Sequence, residues 1–492
     1  MSNWLENTIG WLNPQAGARR AQARVMMTRL NALSGYDGAG TGRRNQNWNT
    51  SNTSSNQELR GALAILRARH RDLVRNNPYA ASAVGVLQRN IVGTGIRPRA
   101  IAGTDASRKR LQAIMREWCE STAMDFDGRH NLYGLQSLAV RAAMESGDVL
   151  LVRVIERDKR QKVPLKVRLL EGDYLDHMKN GAMEGGYAVL GVQFSKDHRR
   201  VGYWLHDQHP GQGILGLGMT YPTSKLVPAE DVLHLFEVLR PGQVRGVPRG
   251  TAGMERARVL DDYQDARVEA QKSAACLVGL VVDPEGQGSE KPSVLPDKLE
   301  PGMFANLGAG QDVRFSSPSG IQDAGGFVET EQHAIAAAYG VPYSAMTGNL
   351  KGVNFSSGRM GTLEFKRVIE QYRSQTLLPI LCDGIADWFD AAASLAGITL
   401  AGVRWEWTPP KYQLQDPARE VKPAIDMVRA GFQSQRGVMR ELGMDPDEIM
   451  AEIAAERADA EARGLVFDTN PAQVSQQGYE QPSQQQDPLT ED

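Results

Sequence analysis

Apolar residues change their spacing several times along this chain, and each change marks a new kind of element. From Glu58 onward, Leu59, Leu63, Leu66, His70 and Leu73 recur at helical spacing up to Asn77-Pro78. Tyr79, Ala83, Val86, Leu87 and Ile91 carry a second helix, closed by GTGIRP. Leu111, Ile114, Met115 and Trp118 mark one side of a third, with Asp105 as its expected N-cap. A fourth spans about 131–146. The period then falls to two. VLLVRVIE (149–156) and VPLKVRLLE (163–171) flank the charged turn RDKRQK and predict a hairpin. YAVLGVQF (187–194) and RVGYWLH (200–206) predict a second hairpin around SKDHR, and VPAEDVLHLFEV (227–238) a further strand. Residues 58–248 therefore read as an α+β block.

A different pattern follows. Residues 249–276 have no Pro after 248 and no Gly after 253, which predicts one helix roughly 40 Å long. Its apolar content is mostly Ala, with Leu260 and Tyr263. So thin a face suits a helix that packs on copies of itself or bridges domains. Residues 277–322 read as a small β insert, and 325–339 as helix. The soft stretch AYGVPYSAMTGNLKGVNFSSGRMGTLEFKR (338–367) leads into a long helix with Ser357 as its expected N-cap. Phe365, Ile369 and Tyr372 mark one face of it. Beyond Pro379, expected to kink the helix, Leu381, Ile385, Trp388, Ala392 and Leu395 continue the stripe. VRWEW (403–407) alternates as a strand. Helices then start at Asp416-Pro417, at Ser434 and at an acidic capping box, Asp445-Pro446-Asp447-Glu448; Gly431 and Gly443 end the first two. The polar stretch 38–57 has little to bury and reads as flexible, and the Gln-rich, acidic end after Asp468 reads as disordered.

Composition narrows the classes. A chain of 492 residues exceeds one compact core, so two to four domains are expected. Net charge is −2, so any contact with nucleic acid or membrane needs a local patch. Cys119, Cys276 and Cys382 lie far apart with no CxxC pair, which argues against a disulfide framework or zinc ribbon and for a reducing compartment. The start has no basic n-region, and no run reaches the roughly 18 apolar residues of a membrane span. A soluble protein with no membrane partner is expected.

The Gly, Ser and Asn of 338–367 raise the idea of a nucleotide cradle. No Gly-Lys-Ser or Gly-Lys-Thr occurs, and Lys351 precedes Gly352, so no P-loop is present. Gly211, Gly213 and Gly216 fit GxGxxG but lack the strand before and helix after that a dinucleotide site needs. His206 and His209 have no third ligand at zinc spacing, and Asp125-Phe-Asp127-Gly128 lacks the rest of a calcium loop. Glu145-Ser-Gly-Asp148 reads as a helix-to-strand turn. No catalytic residue, metal site or cofactor is expected. Arg60, Arg67, Arg69, Arg71, Arg75 and Arg89 crowd one helical region. They form either a solvated face or a contact face for nucleic acid or a partner, with Arg67, Arg71 and Arg75 at its centre.

Several stretches in one order carry a resemblance: LRARHRDLVRNNPYAASAVGVLQRNIVGTGIRP, GDYLDH, GVQFSKDHRRVGYW, VPAEDVLHLFEVLRPGQVRGVPRG, GVPYSAMTGNLKGVNFSSGRMGTLEFKR and WEWTPPKYQLQDPAREVKPAIDMVRAGFQSQRGVMRELGMDPDEI. The chain resembles the lambda-type portal proteins of tailed bacteriophages over about 58–465. The resemblance implies a non-enzymatic multidomain α+β portal fold that assembles into a ring, usually of twelve subunits, at one capsid vertex. Double-stranded DNA would be packaged and ejected through it. It implies a flexible N-terminal arm (1–57), a wing (58–248), stem helices (249–276 and 323–342) around a β clip (277–322), and a tunnel loop (343–357). A long kinked helix and strand (358–412), a helical crown (413–465) and a disordered tail (466–492) would complete the chain. In the tunnel loop, Lys351 would meet phosphates as a ring of charges, and Asn349 and Asn354 would hydrogen-bond phosphate oxygens. Implied partners are the terminase large subunit, the major capsid and scaffold proteins, and head-completion or connector proteins. Implied locations are the virion and, during assembly, the host cytoplasm. Two other readings are a monomeric head adaptor or scaffold-binding protein and, more remotely, a nucleic-acid-processing enzyme.

Overall fold

The computed structural model describes residues 11, 14–33, 50, 52–212, 223–275, 279–281, 304–306, 324–352, 354–410 and 417–465. The stretch 38–49, Gly213 and Gly216 of the GxGxxG pattern, most of the β insert, Cys276, Asp416 and the end after 465 lie outside the described residues. The chain divides into two units, Met1–Glu58 and Leu59–Asp492. The first carries helix α1 (Pro14–Leu33), whose Val25 and Met26 are exposed.

The second opens within α2 (Ser55–Asn76), which buries Leu59, Leu63, His70 and Leu73 as the spacing predicts. Asn77 ends it and caps α3 (Pro78–Ile91): its side-chain oxygen accepts the N–H groups of Tyr79 and Ala80. Strand β1 (Arg97–Ile101) follows. Thr104, not Asp105, caps α4 (Asp105–Glu120); its hydroxyl accepts the Ser107 N–H, and Asp105 sits in the first turn, where its charge suits the helix dipole. Asn131 caps α5 (Leu132–Ser146).

The hairpin expected next is present, as β2 (Asp148–Ile155) and β3 (Leu165–Glu171). The strand expected over 187–194 divides instead. After β4 (Gly181–Met183), β5 (Gly186–Val189) turns at Leu190 (φ 49°) and Gly191 (φ 87°) into β6 (Val192–Ser195). Two positive φ values in succession make a tight hairpin turn, and the apolar Leu190 disguises it as strand. β7 (Arg200–His206) pairs with β6 as expected. The run 227–238 also divides, into the end of β8 (Ser224–Pro228), a 3-10 turn and β9 (Val232–Phe236). β8 closes the antiparallel sheet β4-β5-β6-β7-β8, whereas β9 joins β2 in the sheet β3-β2-β9.

Helix α6 (Met254–Ala275) begins after a 3-10 turn at Thr251–Gly253, a little later than the sequence predicts. Strands β10 (Gly279–Val281) and β11 (Phe304–Asn306) pair in parallel. α7 (Ala324–Tyr339) packs on α6 through buried Ala257, Leu260, Ile335 and Ala336. The short α8 (Tyr343–Thr347) and α9 (Phe355–Tyr372) lead into a π-helix (Arg373–Cys382) and α10 (Asp383–Leu395). Pro379, expected simply to kink this helix, lies inside the π-helix, where the Asp383 N–H reaches back to the Leu378 carbonyl. The wider turn accommodates a residue that has no N–H of its own. Arg373, buried, donates to the carbonyls of Asn90 and Ile91, both at 2.7 Å, and so covers the last turn of α3.

β12 (Arg404–Thr408) pairs antiparallel with β1. α11 (Pro417–Arg429), α12 (Gln435–Glu441, capped by Ser434 as expected) and α13 (Pro446–Arg463) end the described chain. Asp445 caps α13 through the Asp447 N–H, in place of the reciprocal box expected there. One large apolar core joins α3, α5, α6, α7, α9, the π-helix and α10 to the β3-β2-β9 sheet, with Leu87, Leu135, Val149, Leu235, Leu377 and Phe389 inside it. Each such side chain contributes about 1.5–3 kcal/mol by leaving water.

Candidate functional site

Gly340 (φ 72°) stops α7, and Pro342 starts α8. α8 packs on α3 and α7 and buries Met346. Gly348 (φ 71°) ends it. The connection to α9 is then only a few residues long, and local hydrogen bonds shape it. Asn349 accepts the Lys351 N–H on its side-chain oxygen (3.0 Å) and donates its amide to the Tyr343 hydroxyl (3.3 Å). Asn354, not Ser357, caps α9. Its oxygen accepts the Ser357 N–H (2.8 Å), and the Ser357 hydroxyl takes the Asn354 N–H (3.1 Å), a reciprocal box built on Asn and Ser.

The side-chain oxygens of Asn349 and Asn354 thus accept backbone N–H groups and help to shape the connection. Lys351 differs: it is exposed, and its amine is in no ion pair among the described residues. No Asp or Glu occurs between Glu331 and Glu364, so no neighbour along the chain offers it a carboxylate.

The three arginines expected to form a contact face separate in the structure. Arg67 points inward and is about 4% exposed. Its guanidinium pairs with Asp148 and donates to the Ser146 carbonyl (2.9 Å). The carboxylate that holds it also receives Arg245 (2.6 Å), His234 (3.2 Å) and the Gly246 N–H (3.3 Å). Arg71 bonds Asp173 (2.5 Å) and Glu171 (2.9 Å). Arg75 alone of the three is exposed. Arg67 is thus no contact residue, because folding brings a carboxylate to it that local sequence does not show.

Asp148 is the centre of a buried hub. Burial by itself would raise its carboxyl; the Arg245 and Arg67 guanidiniums and the His234 hydrogen bond outweigh burial and hold it well below the usual carboxylate range. Burial pushes His234 down, so it stays neutral beside Asp148. Arg245, fully buried, also donates to the carbonyls of Gly172 (2.6 Å) and Leu190 (3.2 Å). Gly172 is required there, since a Cβ would lie 1.8 Å from the Asp148 carboxylate. A second buried link joins α2 to α7. His70 donates from Nδ1 to the Glu145 carbonyl (2.7 Å) and accepts the Tyr339 hydroxyl at Nε2 (2.8 Å). Burial also lowers the His70 pKa.

The two histidines of the 206–209 segment separate. His206 lies 3.8 Å from Asp176, and His209 3.3 Å from Glu171. Glu171, Asp173 and His209 bring ligand-type atoms within 4.8 Å of one another. The guanidinium of Arg71 already bridges both carboxylates, so a cation of the chain's own holds that place. Sequence reading missed Asp148, His234, Arg245 and Tyr343. For the first three, the contact arises only in the fold, from the pairing of β2 with β9 and from the buried segment after β9 that carries Arg245.

Comparison with known proteins adds the family. A family profile described as "Phage portal protein, lambda family" matches residues 41–373. The protein of Halomonas phage phiHAP-1 named "Probable portal protein" is 25% identical over 79% of this chain and 79% of its own length. "Portal protein B" of Escherichia phage lambda is 22% identical over 89% of this chain and 92% of its own. Among solved structures, a chain from the "Neck of native GTA particle computed with C12 symmetry" is 16% identical with a TM-score of 0.41, covering 85% of this chain and 98% of that one.

Proposed function

Since the chain belongs to the lambda family of phage portal proteins, we propose that its copies form a ring at one capsid vertex and that double-stranded DNA passes through the ring. In this reading the segment 348–352 lines the channel and Lys351 is its phosphate contact. The observation that carries the assignment is the Lys351 amine: exposed, in no ion pair among the described residues, and inside a run of chain without carboxylates. Residues 58–248 act as the wing, α6 and α7 as the stem, 277–322 as the clip that meets the motor and later the connector, and α11 to α13 as the crown.

The physical requirement on such a contact is weak, sequence-independent attraction. DNA that moves has no fixed register, so base-reading groups would hold it back. A single lysine per subunit, repeated by ring symmetry, meets phosphates through charge alone. Lys351 is exposed, which leaves its amine accessible to successive phosphates. Asn349 and Asn354 contribute by holding the connection in shape and by starting α9.

Lys351→Ala tests the assignment. Particles carrying it are expected to assemble normally but to package less DNA or lose it faster on dilution into low salt, read as DNA per particle. Wild-type packaging and retention in that variant would remove Lys351 from the channel.

A further inference from the structure

We propose that Tyr343 is a positioning residue: it ties the 348–352 segment to helix α7, so that the place of Lys351 is set by the helix and not by the loop. The inference rests on the reading of Lys351 as a DNA contact, and deepens it.

The geometry forms a relay. The Tyr343 ring stacks on His333 of α7, with centroids 4.0 Å apart and planes 19° from parallel. Its hydroxyl donates to Gln332 of α7 (3.2 Å) and accepts from the Asn349 amide (3.3 Å). Gln332 is buried, so its side chain has a fixed address in the helix. The other end of the Asn349 amide accepts the Lys351 N–H (3.0 Å). Gln332, Tyr343, Asn349 and the Lys351 backbone therefore form one chain of hydrogen bonds. A second tie runs beside it: the Thr347 hydroxyl donates to the Tyr343 carbonyl (2.9 Å) and accepts the Asn349 N–H (3.2 Å).

Among the described residues, packing anchors Met346 and the Tyr343 ring but duplicates little of this work at Asn349 and Lys351. A cavity of about 780 Å³ borders Tyr343 and Asn349, between Gln264, Arg267 and Gln271 of α6 and Val328 of α7. Among the described residues, no core fills that side to hold the segment still. Hydrogen bonds thus carry the placement, and one hydroxyl is shared by both halves of the relay. A shift of α7 along or about its axis carries Gln332 with it, and Lys351 follows.

The test is hydrogen–deuterium exchange on the full-length chain, wild type against Tyr343→Phe. Phenylalanine keeps the ring on His333 and deletes only the hydroxyl. Exchange in peptides covering 344–352 is expected to rise about five- to tenfold, the size of one net hydrogen bond, while peptides from α3 and α5 stay at wild-type rates. Gln332→Leu breaks the relay from the helix side and is expected to give the same local rise. The double variant should add little more, because both changes open one path. Unchanged exchange at 344–352 in Tyr343→Phe overturns the inference, and so does a fully additive double variant. DNA per particle separates the relay from the function. A local rise in exchange together with lost DNA supports both. A local rise with wild-type DNA in both Tyr343→Phe and Lys351→Ala supports the relay and overturns the DNA contact.

Discussion

Arg67 and Lys351 both stand out in the sequence as cations for a partner, and the fold gives them opposite surroundings. Arg67 lies inside, held by a carboxylate 81 residues further along the chain. Lys351 lies outside, in a run with no carboxylate between Glu331 and Glu364. The contrast is not one of charge or of local helix propensity. It is one of carboxylate supply: the start of β2 brings Asp148 under α2, and among the described residues no carboxylate pairs with Lys351. A crowd of arginines on a helix is therefore weak evidence for a contact face until the acids that folding delivers are counted.

The largest effect that could break this contrast is at the hub. Asp148→Ala leaves Arg67 and Arg245 buried without their shared counter-charge, at an expected cost of about 3–5 kcal/mol, read from the urea unfolding midpoint. A loss under about 1 kcal/mol would mean that the hub behaves like a surface ion pair. Next comes pH. His70 and His234 are held neutral by burial, whereas the unfolded imidazole takes up a proton near pH 6.5. Stability is then full above that pH and falls below it, by up to about 1.4 kcal/mol per pH unit for each histidine until its lowered native pKa is reached. Thermal midpoints from pH 7.5 down to 5 should show this slope, and His70→Gln should flatten it. Asp148 adds a further loss below about pH 4, where the unfolded carboxyl takes up its proton before the native one.

Smaller effects sharpen the other side. Asn354→Ala removes the N-cap of α9 and should cost about 1 kcal/mol, with faster amide exchange confined to the first turn of the helix. Lys351→Ala should change stability by less than about 0.5 kcal/mol in the same urea titration, although it is the substitution expected to release DNA. A residue costly to lose for folding and a residue costly to lose for function would then be separated by experiment.

Most elements were legible because their apolar periods are clean, as in α2, α3, the β2–β3 hairpin and α10. Boundaries failed where a polar or apolar side chain had a local role that its type conceals. Leu190 reads as strand yet sits at positive φ in a turn, and Asn354 reads as loop yet starts a helix. Of the expected site, the sequence shows the lysine and the two asparagines but not the local bonds of Asn349 and Asn354, whose side-chain oxygens accept the N–H groups of Lys351 and Ser357. The hub was illegible, since Asp148, His234 and Arg245 meet only through strand pairing and a buried loop. Tyr343 looked like an ordinary aromatic in a Gly- and Pro-rich connection, because its partner Gln332 lies on the preceding helix, beyond the turn at Gly340.

The π-helix around Pro379 bears on how this chain can change length. A π turn encloses one more residue per hydrogen-bonded ring than an α turn. Deleting one residue between Ser374 and Ile380 lets a ring contract, and α10 keeps its buried face toward the sheet. The same deletion within α9 or α10 turns the helix beyond it by about 100° and drives polar residues into the core. Insertions and deletions between related sequences should therefore gather at 374–380 and avoid the helices on either side.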